Sequence, residues 1–407
     1  MRQLLMKAGV PLVAGALVLT GFSASAFASA KHHATAKPTY TLAYEGPLSG
    51  GNAQLGLNMA FAVQLAINEA NAGTSQFGNL PFKLKYSGKD DQGSATVSPT
   101  IASQLVSNKS VIGVVGPAFS GATKAAEPTF SSAHLATVSP SATNPALSTF
   151  GWRNFFRVVA DDSVQGPADA NYVVKTLKFK KIYNINDAST YGQGLSSAFG
   201  STATADGASV TSSTVPNTTG CGNGGTGDPT QYPTVASTIV AAKPQIVFYG
   251  GYYCDLGLLL GALHTAGYTG KVMSGDGSDD PHLILGTSPA SAANGVYLTC
   301  ACSVLGATAA DKAFATGFKK LAKFAPGTYS AEAFDAANTI IDDMKIISAK
   351  HGGTKNITRA AVIAELDRIK FVGLTKTISF EVNGNIAGSA VYVNEVKNGV
   401  IDQLGLE

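Results

Sequence analysis

In this 407-residue sequence the residue spacings that catalysis requires are missing. No GxSxG elbow presents a nucleophilic serine, and Ser120 is flanked instead as Ala118-Phe119-Ser120-Gly121-Ala122. The glycine strings Gly192-Gln193-Gly194 and Gly220 to Gly225 do not complete a GxGxxG between strand and helix, and no lysine follows a phosphate-cradling loop. His32, His33, His134, His264, His282 and His351 are scattered and form no HExxH. The acidic runs Asp90-Asp91 and Asp276 to Asp280 lack the alternation of a calcium loop, so turn and capping roles suit them better. An enzyme of α/β class would need a base, a nucleophile or a metal, and the motifs assemble none. Neither a cofactor nor a metal is expected.

What remains is a set of polar residues, each just past an apolar run that reads as a strand. Ligands of open α/β sheets bind there. After Val111 to Gly116 comes Pro117-Ala118-Phe119-Ser120, where Ser120 is placed to cap a helix whose free amides would face an anion; a carboxylate is the natural guest. After Leu135 to Ser139 comes Pro140-Ser141-Ala142-Thr143-Asn144-Pro145, a tight loop whose amides and Thr143 hydroxyl can hydrogen-bond a small polar head. Ordinary capping and turn chemistry accounts for either loop taken alone. Asp276 follows Lys271 to Ser274, and a carboxylate there can bind an ammonium. Tyr191 and Tyr252 follow strands of their own, where they would either wall an apolar side chain or pack as structural aromatics.

The elements that must position these residues alternate along the chain. Strand-like runs at Tyr40 to Glu45, Phe82 to Tyr86, Val111 to Gly116 and Leu135 to Ser139 are separated by helices at Gln54 to Asn71 and Ser94 to Ser107. In the first helix Leu57, Phe61 and Leu65 are spaced by four, an apolar stripe that can cover a sheet. A second series begins near Asp161: helices Ser163 to Leu177, Gly192 to Asp206, Tyr232 to Ala242 and Asp255 to Ala266 interleave with strands Lys181 to Asn186, Gln245 to Gly250 and Lys271 to Ser274. A strand at Gly295 to Thr299 is followed by helices Ala310 to Phe324, Ser330 to Ala349 and Thr358 to Lys370. Strands Thr377 to Val382 and Ala390 to Val396 then end the series, with Asn383-Gly384 and Asn398-Gly399 as hairpin turns. The expected fold class is α/β, two doubly wound Rossmann-like lobes. The glycine-rich loop Pro216 to Pro233 reads as a surface excursion.

Composition bounds the setting. Hydrophobic residues make up 45% of the chain, ample for two cores, whereas only 14% are charged, so the surface must rely on uncharged polar residues. Net charge is +3, and Arg2 and Lys7 of the leading segment supply two of those charges, so no electrostatic footprint for a nucleic acid remains. Residues 1–30 run from basic through a short apolar stretch to Ala28-Ser29-Ala30, the pattern of a secretory signal peptide cleaved after Ala30, with a polar spacer over 31–39. No cysteine stands near that site to accept a lipid. Cys221, Cys254, Cys300 and Cys302 all follow it, and in an oxidising compartment an even number favours disulfides. Of three connectivities, Cys221 to Cys254 with Cys300 to Cys302 is preferred.

At these loops the sequence resembles the branched-chain amino-acid (leucine/isoleucine/valine) binding proteins of ABC transporters, the type I periplasmic binding protein family with its Venus-flytrap form. Gly46-Pro47-Leu48-Ser49-Gly50 with Gln54-Leu55-Gly56 is similar to the family's opening loop, and Ser139 to Pro145 to its second ligand loop. In the second half Gln165-Gly166-Pro167, Tyr191-Gly192-Gln193-Gly194 and Val247 to Tyr252 stand in the family's order. The similarity extends over nearly all of Tyr40 to Leu404. It implies that Ser120 and Thr143 bind a ligand carboxylate, that the Ser141 carbonyl, Thr143 and Asp276 bind an ammonium, and that Ala142 lies in the same ligand loop. Tyr191, Tyr252, Leu55 and Phe334 would line the side-chain pocket. The chain departs from the family in carrying Leu55 where an aromatic is common, Phe334 where a tyrosine is, and Asp276 for the commoner glutamate. The resemblance further implies two lobes, 40–159 plus 302–386 and 160–301 plus 387–407, joined by three crossings. The protein would be an extracytoplasmic monomer that hands its ligand to a transporter permease. The same fold with an amide, urea or aromatic carboxylate as ligand is the alternative.

Overall fold

The computed structural model describes residues 36–303, 305–306, 308–350, 352–388 and 390–406. The signal peptide expected over 1–30, and the spacer as far as residue 35, lie outside the described residues. The first series of elements comprises β1 (Thr39–Gly46), α1 (Ala53–Ala72), β2 (Lys83–Asp90), α2 (Ser98–Ser107), β3 (Val111–Val115), α3 (Ser120–Ser132), β4 (Ala136–Ser139) and β5 (Phe155–Arg157). Its five strands are all parallel, in the order β2-β1-β3-β4-β5. Strand β3, Val-Ile-Gly-Val-Val, is buried throughout, as a parallel strand covered on both faces must be. Helix α1 turns Leu55, Met59, Val63 and Ile67 into the core and stops at Gly73, whose φ of 73° lets its amide reach the carbonyls of Glu69 and Ala70.

The second series is α4 (Asp162–Asn171), β6 (Lys181–Asn186), α5 (Thr190–Ala205), β7 (Ser209–Thr214), α6 (Gln231–Ala242), β8 (Ile246–Gly250), α7 (Tyr253–Thr265), β9 (Lys271–Ser274), α8 (His282–Gly286) and β10 (Val296–Cys300). Then come α9 (Ala309–Ala322), α10 (Ser330–Lys350), α11 (Arg359–Leu366), β11 (Phe371–Val372), β12 (Thr377–Ile378), β13 (Tyr392–Lys397) and β14 (Val400–Leu406). The second sheet runs β14-β13-β10-β9-β8-β6-β7, with β13 and β14 antiparallel and the rest parallel. Helices α9 to α11 return to the first sheet, where α10 packs along α1 and α11 against β3 and β4. The chain therefore passes between the two sheets after β5, after β10 and before β13.

Several boundaries differ from those read in the sequence. Helix α2 begins at Ser98 rather than Ser94, because Pro99 in the first turn sets its start and residues 94–97 form turns. The helix expected over Ser163 to Leu177 is α4 followed by a π-helical turn, Tyr172–Thr176. Strand β7 is an exposed, polar edge strand whose Ser and Thr residues carry no apolar signal. Only Thr377–Ile378 of the strand expected over Thr377 to Val382 is ladder-paired, with Phe380 making an isolated bridge to Ile386. The Asn398-Gly399 turn does join a hairpin, β13 to β14, with φ of 51° and 78° at its two residues.

Cys221 is paired with Cys254 and Cys300 with Cys302, and no cysteine among the described residues is free. Asp279 lies within reach of the Cys300 and Cys302 sulfurs, but those sulfurs are bonded to each other. Among the described residues no helix is long and apolar enough to cross a membrane.

Candidate functional site

Parallel strands end on one side of each sheet, so the loops that follow them cluster there. From the first sheet, Gly116-Pro117-Ala118-Phe119 leads from β3 into α3, and residues 140–144 follow β4. Their backbones are tied together: Ser139 Oγ donates to the Pro117 carbonyl at 2.7 Å, Ser141 Oγ to the Ala118 carbonyl at 2.7 Å, and the Asn144 amide to Ser120 Oγ at 3.2 Å. Ser120 is therefore not the helix cap expected of it. Phe119 holds that position, and Ser120 opens the first turn with its hydroxyl turned to the neighbouring loop.

Behind the second loop lies Arg157, fully buried. Its guanidinium donates to the carbonyls of Ala142 at 3.0 Å and Asn144 at 2.9 Å, to Ser148 Oγ at 2.7 Å, and to Asp161 at 2.9 Å. The Asp162 amide donates to the Thr143 carbonyl at 2.9 Å. With the carbonyls on either side of it directed to Arg157, Thr143 is held in one conformation. Sequence reasoning assigned Arg157 no role, although a lone charge inside Phe155-Phe156-Arg157-Val158-Val159 implies a buried partner.

From the second sheet come Tyr191 in the first turn of α5, Tyr252 before α7, and Asp276 after β9. Tyr191 Oη donates to one Asp276 carboxylate oxygen at 2.8 Å and accepts from the Gly277 amide at 3.0 Å. The other Asp276 oxygen accepts from Tyr329 Oη, which arrives from the first lobe just ahead of α10. Tyr329 holds a φ of 66°, a left-handed conformation that costs a non-glycine residue about 1 kcal/mol. Nothing in the local pattern Thr328-Tyr329-Ser330 marks that side chain as facing the cleft; the backbone conformation carries it there.

Asp162, opening α4, is the other acid of the site and another residue left unassigned. It is fully buried, and neither carboxylate oxygen has a hydrogen-bond partner. Burial first, and then the nearby Asp276 charge, push its carboxyl well above the usual range; Thr143 Oγ1 and Arg157 act in the opposite sense. The Thr143 hydroxyl stands beside Asp162 without hydrogen-bonding geometry, so it too is buried and unpartnered. Burial also raises the Asp276 carboxyl, against its tyrosine donors. Unpartnered oxygens at Asp162 and Thr143, next to an acid gripped by two phenols, form a pole suited to a cation with several donors.

The structure brings Ser120, Ser141, Ala142 and Thr143 together on one wall and Tyr191, Tyr252 and Asp276 on the other. Tyr252 lies tilted on Tyr191, with centroids 5.1 Å apart. Asn144 Nδ2 ties the walls by donating to the Thr190 carbonyl at 2.6 Å. Leu55 is buried in the core at the start of α1. Phe334 is elsewhere: its ring packs edge-on against Phe314 at 5.0 Å and borders a 250 Å³ surface cavity with Glu69, Thr74 and Val372. The aromatic that meets Asp276 from this segment is Tyr329, which stands just outside α10, five residues before Phe334.

The family described as Periplasmic binding protein matches residues 39–400. This chain belongs to the periplasmic binding protein family. The Leu/Ile/Val-binding protein BraC3 of Rhizobium johnstonii is 29% identical over 277 residues, 67% of this chain and 71% of that protein. An amino acid binding protein of Pseudomonas aeruginosa is 28% identical over 232 residues, 57% of this chain and 59% of that one. Among solved structures, LivJ from Streptococcus pneumoniae in complex with isoleucine superposes with a TM-score of 0.77 at 23% identity, covering 90% of this chain and 99% of that one. A solute binding protein from R. palustris in complex with benzoate gives 0.74 at 18% identity, covering 90% and 96%. The fold of this periplasmic binding protein is thus type I, two lobes each built on a largely parallel sheet.

Proposed function

We propose that this periplasmic binding protein captures a free amino acid, branched-chain by preference, between its lobes. The observation that carries the reading is the polarity of the cleft: the hydroxyls of Ser120, Ser141 and Thr143 and the start of α3 on one wall, the buried acids Asp276 and Asp162 at the other pole. A zwitterion meets both poles at once. A ligand touching both walls binds the closed arrangement more tightly than an open one and so shifts the equilibrium toward closure. The names of the sequence relatives, Leu/Ile/Val-binding proteins among them, support the same ligand class. The closed form is what an ABC transporter permease would accept. Placement outside the cytoplasm fits the leader pattern and the paired cysteines. The protein acts as a monomer and catalyses no reaction in this reading.

A thermal-shift screen over the amino acids tests it. A ligand at 100 times its Kd adds about 2.7 kcal/mol of stability, so leucine, isoleucine or valine should give the largest rise in Tm. A flat amino-acid screen with a response to benzoate or an amide would overturn the amino-acid reading.

A further inference from the structure

The glycine-rich loop after β7 is not the free surface excursion its composition suggests. Cys221, Thr218 and Asn217 in it are buried, and its tip sits on two loops of the opposite lobe. The Asn223 amide donates to the Gln92 carbonyl at 3.1 Å. A side chain at Gly93 would meet Asn223 Oδ1 at 2.4 Å, and one at Gly51 would meet Cys254 Sγ at 2.6 Å and Cys221 Cα at 2.8 Å. Glycines on the first lobe thus let the disulfide approach its backbone.

Asn52 makes the contact specific. It occupies the position before α1 where asparagine ordinarily caps the helix, yet it makes no such bond. Its amide crosses the cleft instead, Nδ2 donating to the Cys221 carbonyl at 3.0 Å and Oδ1 accepting from the Cys254 amide at 3.2 Å. Both half-cystines are gripped by one buried side chain, although 33 residues separate them in sequence. Only with Cys221 held beside Cys254 do that carbonyl and that amide lie within the span of a single carboxamide. Asp255 supports the arrangement from its own lobe, accepting from the Thr218 amide at 2.9 Å and from Tyr232 Oη at 2.8 Å.

We propose that Asn52 and the Cys221–Cys254 pair form an interlobe latch: the disulfide presets a two-point receptor for Asn52 that exists only in the closed form, and so sets the closed population and the ligand affinity. The inference rests on the two-lobe capture reading above. Its test is a double-mutant cycle read by calorimetry with L-leucine as the probe. Asn52→Ala and the double variant Cys221→Ser/Cys254→Ser should each raise Kd about tenfold, the loss of two ordinary hydrogen bonds. The three changes combined should cost no more than either alone, because they remove one contact. Multiplying effects would overturn the latch, as would an unchanged Kd with a lowered Tm, the signature of a loop staple. Should the wild-type protein bind neither L-leucine nor another amino acid, the capture reading fails by itself. Small-angle scattering of the ligand-free proteins then decides the latch: a larger radius of gyration in both Asn52→Ala and the serine variant supports it, and radii equal to wild type overturn it.

Discussion

Phe119 and Tyr252 stack across the cleft, ring centroids 4.3 Å apart and planes 24° from parallel, one ring from the end of β3 and the other from the end of β8. Each sits immediately before a helix on opposite lobes, so their contact bridges the lobes, and under the proposed capture it would be lost when they part. Truncating one ring removes closed-state stabilisation without touching either pole of the site. Phe119→Ala should weaken amino-acid binding about tenfold, the scale of an aromatic pair beyond its buried area, and should raise the dissociation rate in stopped-flow measurements. An unchanged rate would show that the stack contributes nothing to closure.

Asp276 is the discriminating group. Asp276→Ala should raise Kd for an amino acid by about thirtyfold or more, since truncating one member of a buried charge pair costs about 2–5 kcal/mol. The same change should spare or improve binding of an amine-free acid such as benzoate. Calorimetry with both ligands separates the cases, and equal losses for both would count against an ammonium at this carboxylate.

Tyr329 shares that carboxylate with Tyr191 from the opposite lobe. Tyr329→Phe keeps the ring and removes the donor to a charged group, worth about 1.5–3 kcal/mol, so binding should weaken about tenfold or more. Phe334→Ala, placed against Phe314 outside the cluster, should lower Tm and leave Kd within about twofold. A reversal of these two results would return Phe334 to the pocket.

Arg157 is fully buried and bonded to Asp161 and to the carbonyls of Ala142 and Asn144. Replacing it with methionine strands the Asp161 charge and two carbonyls, and breaking such a buried pair costs about 3–5 kcal/mol. Urea denaturation should register that loss. Any ligand affinity that survives should be reduced as well, because the loop holding Thr143 loses its anchor.

Acid sensitivity has a definite sign. Burial is the leading cause that pushes the carboxyls of Asp91, Glu127, Asp187 and Asp279 up to about 7. Unfolded carboxyls ionise near 4, so between about pH 4 and 7 the fold holds protons that the unfolded chain has released. Stability conferred by these groups is therefore complete below pH 4 and is lost as pH rises toward 7. The Tm of the ligand-free protein should fall from pH 5 to pH 8. Asp162 and Asp276 are raised too, and an ammonium needs them ionised, so amino-acid affinity should increase as pH rises. A ligand-free Tm that climbs with pH would contradict this account.

The sequence by itself determined the α/β alternation, the placement of Ser120, Thr143, Tyr191, Tyr252 and Asp276 past strand ends, and the cysteine pairing preferred among three. The first two follow from local periodicity, since an apolar run followed by a polar turn marks a strand end wherever it occurs; the pairing is a preference resting on an even number of cysteines. It could not reveal strand β7, whose polar residues on an exposed edge need no apolar pattern, nor the docking of the loop at Cys221 onto Asn52. Tertiary structure alone decided that Tyr329 meets Asp276, that Phe334 packs on Phe314, that Asp162 lies in the same pole, and that Arg157 braces the loop carrying Thr143. Tyr191, Asp276 and Tyr329 come from chain segments far apart that only the repeated passage between two sheets brings within hydrogen-bonding range, whereas Arg157 reaches its loop from the neighbouring strand of the same sheet.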